Sequence, residues 1–206
     1  VVFCMSEPSA ELLDEARRLA RCRDSFNDYI QEVHGWRVRP HQEAWVAALD
    51  ALAKGTLLDS EGHVAYRILI LAPPASGKTS ILLQYTAWLI GREVLSKRDP
   101  QVGMLSYSED VARERSVAVR NIIEHKDTYH LVFNAVKPAK ADGWAEGSWY
   151  IQRRDRGTAN PTLRSAGMEG AILSYRFTTL IVVDDPHNPQ QLGRAIKTGF
   201  GLPGIA

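Results

Sequence analysis

Gly77, Lys78 and Thr79 stand in a row after Ala72-Pro73-Pro74-Ala75-Ser76, where the apolar run from Tyr66 to Leu71 ends. The spacing is that of a phosphate cradle, G-x-x-x-x-G-K-[ST], with Ala72 at the first glycine position. Pro73 and Pro74 have no N–H and a fixed φ, so they stiffen the entry. The backbone donors able to wrap a phosphate therefore come from Ala75 to Thr79. Gly77 lets the backbone approach closely, Lys78 can reach β- and γ-phosphates, and the Thr79 hydroxyl can ligate Mg²⁺. A helix starting here turns its positive end toward the anion. The plainer alternative is a strand-turn-helix corner with a surface lysine. An apolar run before the turn and an amphipathic helix after it favour the phosphate reading.

A second constellation is Thr179-Leu180-Ile181-Val182-Val183-Asp184-Asp185, an apolar strand ending in two carboxylates. With a phosphate cradle upstream, Asp184 is placed to hold Mg²⁺ through its water shell, and Asp185 to orient or deprotonate the water that attacks a γ-phosphate. Seen alone, the same residues make an acidic turn leading into Pro186. Gln42, just inside a helix, can offer its amide to both edges of adenine, or it can cap that helix. Arg153, Arg154 and Arg156 can contact phosphate or DNA, or they can protect a sheet edge by staying solvated.

These residues need elements to hold them. Apolar positions at Leu12, Ala16, Leu19, Phe26, Ile30 and Val33 predict one helical stripe from about Ser9 to Val33. Its arginines Arg17, Arg18, Arg21 and Arg23 form a solvated face balanced by Glu11, Asp14 and Glu15. A second helix is expected from about His41 to Lys54, then a loop from Gly55 to His63 and a buried strand at Tyr66 to Leu71. Helix then runs from Ser80 to a stop at Gly91, followed by the charged turn Lys97-Arg98-Asp99-Pro100. A buried strand spans Gln101 to Tyr107, and Ser108-Glu109-Asp110 caps a helix from about Val111 to His125. Gly147 to Ile151 and Thr162 to Arg164 are expected as short antiparallel or edge strands. Alternation of strand and helix argues for a parallel sheet with crossover helices.

The bulk numbers fit a single sizeable core. The chain has 206 residues, 45% hydrophobic and 24% charged. No stretch approaches a membrane span. Its net charge of +1 leaves any nucleic-acid contact to a local patch. Cys4 and Cys22 cannot make a disulfide framework and are expected reduced, and the six histidines lack zinc spacing. Val1 to Met5 lie outside the expected fold, and Leu192 to Ala206 show no period.

In order along the chain, these motifs resemble the ATPase domain of bacteriophage large terminase subunits, the motors that package viral DNA. The resemblance covers roughly Arg39 to Gln191 and rests on Pro40 and Gln42, Ala72-Pro73-Pro74 leading into Gly77-Lys78-Thr79, and Leu105-Ser106-Tyr107-Ser108-Glu109-Asp110-Val111-Ala112. It continues through Leu163-Arg164-Ser165-Ala166-Gly167, Gly170-Ala171-Ile172 and Val183-Asp184-Asp185-Pro186.

The resemblance implies an α/β, RecA-like P-loop NTPase of the additional-strand type, with a mostly parallel central sheet flanked by helices and an N-terminal helical extension. Residues 1–35 would be that helical segment, 36–191 the ATPase domain and 192–206 an unassigned tail. By position, Gln42 would serve adenine, and Pro74, Ala75, Ser76, Gly77, Lys78, Thr79 and Ser80 would line ATP. Thr79 and Asp184 would hold Mg²⁺ and Asp185 the water. Implied partners are double-stranded DNA, a portal protein and a small terminase subunit. The chain would act in a homo-oligomeric ring at the procapsid portal vertex in the host cytoplasm, or be a monomer as an isolated domain, with no membrane contact.

Three departures qualify the likeness. The arginine that many relatives carry inside the P-loop is absent, since Pro74, Ala75 and Ser76 stand there. Arg164 and Arg176 are the candidates for the charge-neutralising finger, with a scaffold salt bridge as the alternative role. Asp185 replaces the glutamate of many relatives. Nothing after Gln191 offers the clustered acids of a nuclease domain, so an isolated or truncated ATPase without nuclease activity is expected. Rival readings are another RecA-like translocase or helicase, a small-molecule kinase, or a nucleotide-binding assembly switch.

Overall fold

The computed structural model describes residues 9–152, 160–168, 170 and 175–187. Its helices are α1 (Ala10–Asp24), α2 (Phe26–His34), α3 (Pro40–Lys54), α4 (Lys78–Leu95), α5 (Glu109–His125) and α6 (Asp127–Val132). Its strands are β1 (Val102–Ser106), β2 (Ser148–Trp149), β3 (Leu163–Gly167) and β4 (Leu180–Val183). The chain divides into two compact units, Val1–Ser96 with Ile122–Val136, and Lys97–Asn121 with Lys137–Ala206. No helix among the described residues is long and apolar enough to cross a membrane.

The first unit is helical. The expected single helix over Ser9 to Val33 is two, because Ser25 adopts an extended conformation and serves both ends. Its N–H closes α1 on the Arg21 carbonyl, and its hydroxyl accepts from Asp28 N at 3.2 Å to start α2. The acid-balanced arginine face is present, with Arg18 paired to Glu15 at 2.8 Å and to Glu32 at 2.7 Å. The core is aromatic: Phe26 lies 5.2 Å from Tyr85 and 5.3 Å from Trp88 between ring centres. Two polar tips find partners inside it, Trp88 Nε1 donating to Cys22 O at 2.9 Å and Tyr129 Oη to Ala87 O at 3.0 Å. Cys22 is a free, buried thiol.

Gly91 does not stop α4, which runs on to Leu95. A glycine stands there because the Phe133 ring packs against it. A Cβ at this position would lie 2.4 Å from that ring.

The predicted strand at Tyr66 to Leu71 is a third correction. The segment has no strand partner among the described residues, and Tyr66, Leu69 and Leu71 are 85%, 80% and 82% exposed. An apolar run becomes a strand only when a neighbour takes its N–H and C=O groups, and no such ladder forms here.

His34 gives the first unit a pH dependence. Lys126 Nζ donates to its Nδ1 at 2.8 Å, which requires a neutral imidazole. Burial, with Lys126 adding to it, lowers its pKa from 6.5 to about 4. The native state thus binds fewer protons here than the unfolded chain, so this contribution is complete above pH 6.5 and fades as pH falls toward about 4. Thermal melts across that window are expected to lose stability in the wild-type protein and to lose less in His34→Gln. Equal slopes would remove His34 as the cause.

The second unit is α/β. Its open, mixed sheet has the order β2-β3-β1-β4. β1 pairs in parallel with β3 and with β4, while β2 is antiparallel to β3. Expected as an edge piece, Thr162 to Arg164 instead leads into a central parallel strand, with Leu163 beside Val102. Three of four strands therefore keep the parallel arrangement, and their carboxyl ends come to one edge. α5 starts where predicted, Ser108 Oγ accepting from Val111 N at 3.3 Å. Ser116 on this helix receives a hydrogen bond from the buried Trp149 Nε1 of β2 at 2.9 Å.

Candidate functional site

The loop from Ala72 to Gly77 lies in the first unit, directly before α4. Ala75 and Gly77 both take left-handed backbone, with φ of 61° and 89°. Left-handed residues in a turn are the kind of backbone from which anion-binding nests are built, and here the Ser76 N–H itself closes the turn on the Pro73 carbonyl at 3.4 Å. At Gly77 the left-handed backbone favours glycine, and a Cβ there would lie 2.7 Å from Gln42 Nε2 and oblige that amide to shift.

The loop is fastened from behind. Gln42 Nε2 donates to the Ser76 carbonyl at 2.9 Å, and His41 Nε2 lies 3.2 Å from the same oxygen, as a donor in the tautomer that carries its proton there. A trans, planar peptide holds C=O and the following N–H on opposite sides. Anchoring Ser76 O therefore turns the Gly77 N–H away from α3. α4 then begins at Lys78, its N-cap Gly77 offering no side-chain cap and its own first turn carrying no acid, so the helix supplies no negative side chain of its own to its positive end. Lys78 and Thr79 are half-buried in that turn, and Ser80 is exposed. Pro74 and Ala75 are exposed at the loop tip.

Gln42 is thus placed as a cap and loop fastener. Its Oε1 accepts from Arg39 N at 3.1 Å while its amide nitrogen holds Ser76. His41 was not foreseen. Its only sequence signal is adjacency to Gln42 at the start of the helix facing the loop.

The acidic strand end lies in the second unit. Asp184 N donates to Leu105 O at 2.9 Å, and Tyr107 N donates to Asp185 O at 3.1 Å, so β1 holds both residues by their backbone. Asp184 is 3% exposed. Arg115 Nε of α5 stands 3.3 Å from its Oδ2. Asp185 is exposed and leaves the sheet through left-handed backbone, φ 46°, a conformation aspartate adopts more readily than most residues. Arg115 was also missed. It interrupts the buried series Ala112, Ser116 and Val119, and an arginine on such a face needs an acid partner.

The finger candidates differ. Arg164 is half-buried in β3 with its guanidinium 5.0 Å from the centre of the Tyr175 ring. Arg176 is exposed, and its carbonyl accepts from Asn160 Nδ2 at 3.1 Å. Arg153, Arg154 and Arg156, like Ala171, Ile172 and everything beyond His187, lie outside the described residues.

Thr79 offers a hydroxyl and Asp184 a carboxylate, each a hard oxygen of the type Mg²⁺ takes, and the ion retains several waters and needs few protein ligands. The donor chemistry fits the ion. Comparison with protein-family models, curated proteins and solved structures finds no match to this chain.

Proposed function

We propose that the chain is a Mg²⁺-dependent ATP hydrolase of the RecA-like P-loop type, the ATPase domain of a viral large terminase subunit. The observation that carries this reading is the Ser76 carbonyl held by Gln42 with His41 beside it, which turns the Gly77 N–H away from α3 at the start of α4, where Lys78 and Thr79 form the first turn.

In this reading Ala75 to Ser80 bind the phosphates of ATP, and Lys78 balances charge that builds on them. When bound, Mg²⁺ neutralises phosphate oxygens, with Thr79 and Asp184 as its protein donors. Asp185 orients the attacking water and accepts its proton. The finger would act on a neighbour's nucleotide, and the exposed Arg176 suits reach between subunits better than Arg164, whose cation rests over Tyr175. The work so released would move double-stranded DNA into a procapsid, in a homo-oligomeric ring at the portal with the portal protein and a small terminase subunit.

ATP turnover measured over a protein concentration series, with and without double-stranded DNA, tests the proposal. Specific activity is expected to rise with concentration, because a finger in trans is worth about 10³–10⁵ in rate. Fast turnover independent of concentration would point instead to an NTPase complete in one chain. No turnover at any concentration, with nucleotide still bound, would point to an assembly switch.

A further inference from the structure

Asp184 is a carboxylate almost without water, and Arg115 lies against it as a counter-charge. An ionised carboxylate in such a place is costly unless a cation balances it. The contact runs through the arginine Nε at 3.3 Å, longer than the roughly 2.7–2.9 Å of strong charge-assisted bonds. The Arg115 side chain is 29% exposed, so its guanidinium already has a way into water. Its host helix is fixed independently of this pair, by the Ser108 cap at its start and the Trp149 bond to Ser116. Release of Arg115 would break one long ion contact, while the Ser108 cap and the Trp149 bond keep α5 in place.

We propose that Arg115 is the exchangeable counter-ion of the metal-binding carboxylate: a divalent cation and the Arg115 guanidinium compete for Asp184. This rests on the reading of Asp184 as the Mg²⁺ donor. Two cations on one buried carboxylate repel each other, and the repulsion is little screened where water is excluded. Pairing with Arg115 therefore weakens metal affinity, and metal binding drives Arg115 off the acid and into solvent. By reciprocity each weakens the other by the same factor. Arg115 is a positioning and charge-balancing residue, which sets how much cation is needed to occupy the site.

The test is Mn²⁺ binding followed by electron paramagnetic resonance, with a non-hydrolysable ATP analogue present, in wild type, Arg115→Gln, Arg115→Lys, Asp184→Asn and the Arg115→Gln/Asp184→Asn double variant. Arg115→Gln is expected to bind Mn²⁺ at least about five-fold more tightly, the low end of ordinary coupling between sites. Arg115→Lys, which keeps the charge, should stay near wild type, and the gain should vanish in the double variant. Equal or weaker binding by Arg115→Gln would overturn the exchange. If Asp184→Asn binds Mn²⁺ as wild type does, the assignment of the metal to Asp184 fails instead. A measurement on the wild-type protein covers a variant that does not fold. The Arg115 Nε–H resonance should move to the position of a solvated guanidinium when Mg²⁺ and the analogue are added, and an unmoved resonance would also overturn the proposal.

Discussion

Lys78→Ala is expected to lower ATP turnover by at least about 10²-fold, the scale of losing one preorganised donor at developing charge. Lys78 is the first residue of α4, directly after the left-handed Gly77, so its backbone is set by the loop and the helix together. Alanine is the best helix former, and the substitution leaves the fastening of Ser76 by Gln42 and His41 in place. Loss of the ammonium is then the main change. ATP hydrolysis and fluorescent-nucleotide binding, each beside a thermal melt, check the result. Full activity in a folded variant would move the phosphate site off this loop.

Asp185→Asn is expected to keep nucleotide binding and to lower hydrolysis by about 10²–10⁴-fold, the usual contribution of a positioned general base. The choice of asparagine matters. Asp185 sits at φ 46°, and asparagine tolerates left-handed backbone as aspartate does, so the variant removes the charge without adding strain. Alanine there would confound the two. Its carbonyl would still accept from Tyr107 N, keeping the strand end tied to β1. Single-turnover hydrolysis separates this outcome from a binding defect, and unchanged rates would place the base elsewhere.

What was legible in the sequence was whatever local chemistry dictates. The Ser108 cap, the buried strand at Val102–Ser106, the helix at Pro40–Lys54 and the strand ending in Asp184 all follow from turn residues, caps and continuous apolar runs. Long-range pairing was not legible. Tyr66 to Leu71 has the composition of a buried strand, yet composition does not supply a neighbour. Leu163–Gly167 is too short and too polar to announce itself as central, and only β1 and β2 on its two sides make it so. Gly91 misled for a related reason, since the Phe133 ring that explains it comes from far along the chain. In the candidate site the motif residues could be read, but their supports could not. His41 and Arg115 act through partners distant in sequence, Ser76 and Asp184.

The fastening of Ser76 also bears on the kinetics of ligand capture. Fixing one residue's backbone costs roughly 1–2 kcal/mol of conformational entropy. In the loop from Pro73 to Gly77 part of that cost is met on folding, by the hydrogen bonds to Ser76 O and the turn from Ser76 N to Pro73 O. On the proposed function, a phosphate arriving at the loop would meet a surface already shaped, and its capture rate would be governed by encounter and desolvation more than by rearrangement of the chain.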